Sequence, residues 1–131
     1  MNFRLITVLA MAAGLSVLSP AVAQPMERTQ VEIDFLLQYV EVSGCEFYRN
    51  GTWHDSERAR EHLTSKYEYL AGRDRIRTAE DFIGQAASKS SLSGQPYEVR
   101  CGACPATTTS EWLTAVLARY RKAMVREDES S

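Results

Sequence analysis

Residues 43–55 read SGCEFYRNGTWHD, a stretch that contains a helix end, a complete β-hairpin and the start of a second helix. Gly44 is expected to end the first helix, because glycine readily adopts the left-handed conformation found at many helix ends. Asn50-Gly51, between two short β-prone segments, is a strong signal for a tight hairpin turn. Asp55 can accept hydrogen bonds from the first free amides of the next helix. The stretch therefore predicts a helix, a hairpin and a helix in direct succession.

Before this stretch, residues 26–42 show helical periodicity with apolar residues on two sides. The first stripe consists of Ile33, Leu36, Leu37 and Val40, and the second stripe consists of Val31, Phe35, Tyr39 and Val42. A helix with two apolar sides is expected to contact something on both of them. We therefore expect either a helix at the centre of the domain or a second stripe that meets a partner protein or another copy of the chain.

After the hairpin, three more helices and one strand are expected. Residues 56–70 and 110–124 have helical periodicity, and Thr78 and Thr108 each precede an acidic residue by three positions, as capping residues do. Residues 88–96, which we call the serine loop, are too rich in turn formers to be regular. The last helix is expected to bury Leu113, Val116, Leu117, Tyr120 and Met124. The predicted fold class is α+β and mostly helical, with about four helices and a small antiparallel sheet made of the hairpin near 46–54 and a strand near 96–101.

The first 23 residues have the zones of a secretory signal peptide: a basic Arg4, an apolar run over residues 5–18, and the small residues Ala21 and Ala23. The run is too short for a membrane-spanning helix, which needs roughly 20 residues. We expect cleavage after Ala23 and no stable membrane anchor afterwards. What remains is a single globular domain at 24–125 and a disordered acidic tail at 126–131. The expected location is the bacterial periplasm.

The charge balance argues against nucleic acid as a partner. The chain carries 15 Lys and Arg against 17 Asp and Glu, and cleavage removes only Arg4, which leaves 14 against 17 and a net charge of −3. Such a balance gives no electrostatic footprint for nucleic acid or anionic lipid. We therefore expect neither of them as a partner.

Three cysteines remain after cleavage, Cys45, Cys101 and Cys104, and two of them are expected to pair in an oxidising compartment. The favoured disulfide joins Cys45 to Cys101, because the hairpin and the strand that carry them should be neighbours. A Cys45–Cys104 bond is the alternative. The Cys101-x-x-Cys104 spacing also matches thiol oxidoreductases, and the three cysteines with His54 would form a zinc set, but a βαβ context and a second tight ligand pair are missing. We therefore expect no metal and no cofactor.

His54 and His62 are the two histidines, so a general base would have to be one of them. The chain has no Gly-x-Ser-x-Gly motif, and the serines of the serine loop have no paired base nearby in sequence. His62 lies at the edge of an apolar helix face, where a packed boundary histidine is the simplest interpretation. The sequence therefore favours a non-enzymatic protein. The alternative is an envelope hydrolase or thiol-redox enzyme that uses His54 or His62 and a cysteine.

Several short segments together resemble one known family. They are Phe47-x-Arg49-Asn50-Gly51, His54, Ala59-x-x-His62-Leu63, Thr78-Ala-Glu-x-Phe82-Ile83 and the serine loop with Tyr97 after it. This combination resembles the YfeK-like family of small bacterial periplasmic proteins of unknown function, and it covers roughly half of the mature chain. The resemblance implies a periplasmic location and a domain without an assigned activity, and it supplies no catalytic residues.

Polar residues of the hairpin, the second helix and the serine loop form the candidate binding site, because these segments flank the predicted sheet and can converge on one surface. The candidate residues are Arg49, Asn50, His54, His62, Ser91 and Ser93. We predict a polar binding site there. The expected function is that of a small binding or inhibitor module that acts on another envelope protein or on a small envelope molecule.

Overall fold

The structure is a computed structural model, and it describes Gly14 and residues 25–131. The predicted signal peptide and its cleavage point therefore lie outside the described residues, apart from Gly14. Within the described part of the chain, no helix has the length and apolar character needed to cross a membrane.

The elements follow the predicted order, and the mostly helical α+β fold class is confirmed. They are α1 (Pro25–Val42), β1 (Glu46–Arg49), β2 (Thr52–His54), α2 (Ser56–Ala71), α3 (Ala79–Asp81), a π-helical turn (Phe82–Ala86), β3 (Glu98–Arg100), β4 (Thr107–Thr108) and α4 (Thr109–Glu129). The predicted local signals act as expected. Asn50 and Gly51 both have positive φ, at 48° and 87°, and the Asp55 side chain accepts from the backbone N–H of Arg58.

The strands form one antiparallel sheet in the order β2-β1-β3-β4. In the pairing of β1 with β3, Phe47 lies opposite Val99, and both side chains are buried on the inner face of the sheet. Strand β4 was not predicted, since two threonines before a helix are too short for an alternating pattern. It extends the sheet on the far side of β3.

A disulfide joins Cys45 to Cys101, as predicted, and closes a loop with a sequence separation of 56. Continuing the β1–β3 register by one residue places these cysteines directly opposite each other. On the chain-entropy model such a loop stabilises the fold by about 4 kcal/mol. The bond therefore fixes β1 against β3 at one end of the sheet.

Helix α1 packs on α2 and α4, and its first stripe lies in the core, with every member at most 5% exposed. The middle of the second stripe is covered by α4, because Phe35 stacks on Tyr120 at 4.2 Å between ring centroids and Tyr39 lies 5.4 Å from Trp112. Its two ends are open, with Val31 54% and Val42 71% exposed. The structure thus places α1 at the centre of the domain, and a partner at the stripe's ends stays a prediction.

Helix α4 extends beyond the predicted end at residue 124 and continues through residues 126–129, which were expected to be disordered. These residues include good helix formers, and the hydroxyls of Ser130 and Ser131 donate to the carbonyls of Arg126 and Glu127 in the last turn. All side chains from residue 121 onward are exposed. The expected burial of Met124 is therefore wrong, because this part of the helix has passed the end of the core and Met124 is 39% exposed.

One ion cluster ties α1 to α4 and α3. Arg121 donates to both carboxylate oxygens of the buried Glu32, at 2.9 and 2.8 Å, and also to Glu80. The Glu32 and Glu80 hydrogen bonds raise the pKa of Arg121 above its ordinary value. The cluster compensates the one buried acid of α1, since a buried carboxylate without a partner is strongly destabilising.

Candidate functional site

The inner face of the sheet changes from apolar to polar at the hairpin end. Side chains alternate along a strand, so Arg49 points to the same face as Phe47, two residues earlier. Continuing the β1–β3 register by one residue beyond Tyr48 and Glu98 places Arg49 opposite Tyr97. Helix α2 covers this end of the sheet. Two polar residues one turn apart on that helix, His62 and Lys66, reach the same place.

These four residues form one hydrogen-bonded network. A guanidinium has only donors, so the contact of Arg49 Nη1 with His62 Nδ1 makes Nδ1 the acceptor. The proton of the neutral ring is then on Nε2, which donates to Tyr97 Oη at 3.0 Å. Lys66 Nζ donates to the same oxygen at 3.3 Å and to the carbonyl of Lys89 at 2.6 Å. The network fixes one tautomer of His62 and connects Arg49 to Lys66 through His62 and Tyr97.

The surroundings keep His62 neutral at physiological pH. Burial, and then the positive charges of Arg49 and Lys66 and the nearby His54, together lower the pKa of His62 to about 4. Burial, and then the charge of Lys89, also lowers the pKa of Lys66. A protonated His62 could no longer accept from Arg49, so hydrogen bonding and electrostatics favour the same state.

The positive charge of this network has no local counterpart. Among the ion pairs of the described residues, none involves Arg49, Lys66 or Lys89. Burial raises the pKa of the Tyr97 hydroxyl, which stays neutral and contributes no negative charge. The hairpin end of the sheet is therefore a locally cationic site in a chain whose net charge is negative.

A cleft opens beside the network, which we call the Arg49 cleft. Its polar lining residues are Arg49, His54, Arg58, His62, Tyr97 and Thr109, and its apolar ones include Phe47, Ala59 and Leu63. The cavity volume is about 30 Å³, room for about two water-sized groups. Thr109 is 1% exposed, and its hydroxyl has no hydrogen-bond partner within the described part of the chain. A buried hydroxyl of this kind usually has a partner, so the cleft contains an unmet polar group.

Comparison with known proteins identifies the family to which the chain is similar. A family of unknown function, DUF5329, matches residues 27–121, which is most of the described chain. The chain belongs to the DUF5329 family. It is also similar to the uncharacterized protein YfeK of Salmonella typhimurium (strain LT2), with 49% identity over 51 residues. That alignment covers 39% of this chain and 41% of the relative, so the similarity spans about two fifths of each protein. No solved structure matches the chain.

In this DUF5329 chain, the hairpin turn and the serine loop are in contact, although Asn50, Ser91 and Ser93 are not among the residues that line the Arg49 cleft. Ser93 Oγ donates to Asn50 Oδ1 at 2.7 Å and so ties the loop to the hairpin turn. His54 lines the Arg49 cleft, although its ring makes no hydrogen bond within residues 25–131. The side chain of Ser91 is exposed and also makes no hydrogen bond to the described residues. Of the six candidate residues, Ser91 thus has the weakest link to the site.

Four polar residues of the site were not predicted, namely Arg58, Lys66, Tyr97 and Thr109. Lys66 lies four positions after His62 on α2, and this helical spacing could have identified it. Tyr97 resembled an ordinary core residue of a strand, and Thr109 one more hydroxyl near a helix start. The roles of Tyr97 and Thr109 become visible only in the tertiary structure. The partners of Tyr97 come from α2, and the hydroxyl of Thr109 is buried by distant segments.

The cysteines of this DUF5329 chain do not form a dithiol. Cys101 is bonded to Cys45, which leaves Cys104 of the Cys-x-x-Cys pattern as an exposed free thiol. The turn between them brings the backbone N–H of Cys104 to the carbonyl of Cys101 at 3.1 Å. Among the described residues, no group of three or more His, Cys, Asp and Glu side chains could hold a metal ion.

Proposed function

We propose that this protein is an exported binding module of the bacterial cell envelope and that its ligand site is the Arg49 cleft. The observation that carries the proposal is the convergence of the hairpin, α2 and Tyr97, the residue before β3, on one cationic network beside a cavity. Partly buried positive charge without an acidic partner favours a ligand, because burying a charge is costly unless something compensates it. The ligand belongs to an envelope protein or is a small envelope molecule.

Two features support export to the periplasm. The first 23 residues have the pattern of a signal peptide. The Cys45–Cys101 disulfide suits an oxidising compartment, since reducing systems keep most cytosolic thiols free. The test is expression of the full chain in a Gram-negative bacterium, followed by fractionation and amino-terminal sequencing. We expect a periplasmic protein that begins at Gln24, and an intact amino terminus in the cytosolic fraction would contradict export.

The geometry favours binding over hydrolysis. A histidine that activates a nucleophile as a general base contacts the attacking serine or cysteine side chain. In the described residues, the ring of His62 is instead bonded to Arg49 and Tyr97, and neither histidine has a hydrogen bond to a Ser or Cys side chain. Both ring nitrogens of His62 are thus used to orient neighbours. These hydrogen bonds hold Arg49 in position, as expected for a side chain that binds a ligand.

A capture experiment tests the binding function. The mature protein, immobilised on resin, is incubated with periplasmic extract, and retained proteins and small molecules are identified by mass spectrometry. Arg49→Gln should lose a retained species that the parent protein holds. Arg119→Gln is the matched control, because Arg119 is exposed on α4 and has no ion pair within the described residues. Equal retention by all three proteins would contradict a ligand site at Arg49.

A further inference from the structure

We propose that the Arg49 cleft binds a carboxylate group carried on a short apolar stem. This inference rests on the proposed function, because it assumes that the cleft is a ligand site, and it adds the chemical class of the ligand. Such a group occurs both in small organic acids and at the carboxyl terminus of a peptide. The experiment below distinguishes these two sources.

The first argument is the charge of the site. Arg49 is linked to Tyr97 through His62, Lys66 donates directly to Tyr97, and Lys89 is close enough to Lys66 to lower its pKa. None of the three has an acidic partner in the part of the chain that the structure describes. A cationic ligand would add to this repulsion, whereas an anion relieves it. The sign of the ligand charge follows directly.

The second argument is the set of free donors on Arg49. A guanidinium has five N–H groups, and Arg49 uses Nη1 for His62 while no other hydrogen bond from its side chain to a described residue exists. The contact with His62 restricts the rotation of the group, so the remaining N–H groups are held ready. A planar guanidinium pairs well with a carboxylate through two parallel hydrogen bonds. His62 is therefore a positioning residue for Arg49.

The third argument is the size and lining of the cleft. A cavity of about 30 Å³ accommodates about two water-sized groups, so only one end of a small ligand can enter it. Phe47, Ala59 and Leu63 form apolar walls that suit a hydrocarbon stem. Thr109 lines the same cleft, and its buried hydroxyl lacks a partner among the described residues. The hydroxyl is thus an unmet polar group in the wall of the cleft, which a polar group of a ligand could satisfy.

Nuclear magnetic resonance titration of the mature protein tests this inference, with butyrate, butylammonium and inorganic phosphate as probes. We expect saturable shifts of amides around the cleft with butyrate, at least tenfold weaker binding of phosphate, and no saturable shifts with butylammonium. Arg49→Gln should weaken butyrate binding at least tenfold, and Arg119→Gln should leave it unchanged. Tighter binding of phosphate, or equal binding of butylammonium, would overturn the assignment of a carboxylate.

Two further arms complete the experiment. N-acetyl-alanyl-alanine is compared with its carboxyl-terminal amide, and tighter binding of the free acid than of butyrate identifies a peptide terminus as the source. Thr109→Val preserves shape and charge, so a folded Thr109→Val protein that binds butyrate several-fold more weakly supports the site even if Arg49→Gln fails to fold.

If the capture experiment shows an Arg49-dependent ligand but butyrate does not bind, the carboxylate inference fails and the proposed function survives. If neither shows binding, both fail.

Discussion

Acidification should weaken the fold through His62. In the unfolded chain this histidine has its ordinary pKa of 6.5, whereas in the fold its pKa is lowered to about 4. Between these values the unfolded state binds more protons, so stability falls as the pH falls. The contribution is fully present above about pH 6.5 and lost as the pH approaches 4. The charged or titratable groups that face the ring are Arg49, His54, Lys66 and Tyr97. The first three lower the pKa of His62, and the Tyr97 hydroxyl is neutral.

The magnitude follows from the two pKa values. Taken at full strength, the difference between 6.5 and about 4 gives about 2.5 kcal/mol of lost stability between about pH 7.5 and about pH 4.5. The ring of His62 is only partly buried, so solvent screening reduces this figure. We expect a loss of about 1 kcal/mol that belongs to His62 alone.

Urea unfolding of the parent protein and of His62→Gln at about pH 7.5 and about pH 4.5 isolates the contribution of His62 to the free energy of unfolding. Protonation of carboxylates destabilises both proteins as the pH falls, and the difference between them cancels that common effect. His54→Gln is the matched control, because it removes a histidine from the same cleft without changing the Arg49 and Tyr97 hydrogen bonds. The reasoning is refuted if the ring of His62 titrates near pH 6.5 by nuclear magnetic resonance, or if parent and His62→Gln lose equal stability on acidification.

Three further substitutions probe the fold by denaturant unfolding. Thr109→Val should stabilise the protein by about 1 kcal/mol, because it removes a buried hydroxyl without a partner in the described residues. Thr108→Val should destabilise it by about 1 kcal/mol, because the cap of α4 is lost. Shifts of the same sign for the two variants would contradict this assignment. Arg121→Leu should cost about 2–3 kcal/mol, since it leaves the buried Glu32 without its ion partner, and a neutral effect would show that Glu32 is protonated or solvated. Gly51→Ala should cost about 1 kcal/mol, because φ is 87° at this position, and unchanged stability would mean that the turn relaxes.

Features set by local interactions were predictable from the sequence. The Asn50-Gly51 turn and the caps at Asp55, Thr78 and Thr108 each involve residues within a few positions of one another. The Cys45–Cys101 disulfide was predictable as well, because the hairpin and the strand had already been inferred as neighbours. Local chemistry therefore determined the fold class and the order of the elements.

Features that depend on distant contacts were not predictable. The third helix begins as α3 but continues as a π-helical turn, in which the N–H of Ala87 donates to the carbonyls of both Phe82 and Ile83. Periodicity predicts buried residues there but cannot distinguish α from π hydrogen bonding. The role of Tyr97 likewise depends on α2, which is far away in sequence. The helical end of α4 was missed because its residues lack an apolar face, although they favour helix.

The two ends of the β1–β3 pair have different tasks. At one end the Cys45–Cys101 bond fixes the pairing, and at the other Arg49 and Tyr97 lie side by side in the site. A slip of one residue would turn Arg49 to the opposite face of the sheet, and the disulfide opposes such a slip together with the buried Phe47–Val99 pair. The disulfide thus helps to hold the register that places Arg49 in the proposed ligand site. For the binding function proposed above, oxidation of the Cys45–Cys101 pair should raise ligand affinity, so a reduced preparation should bind more weakly.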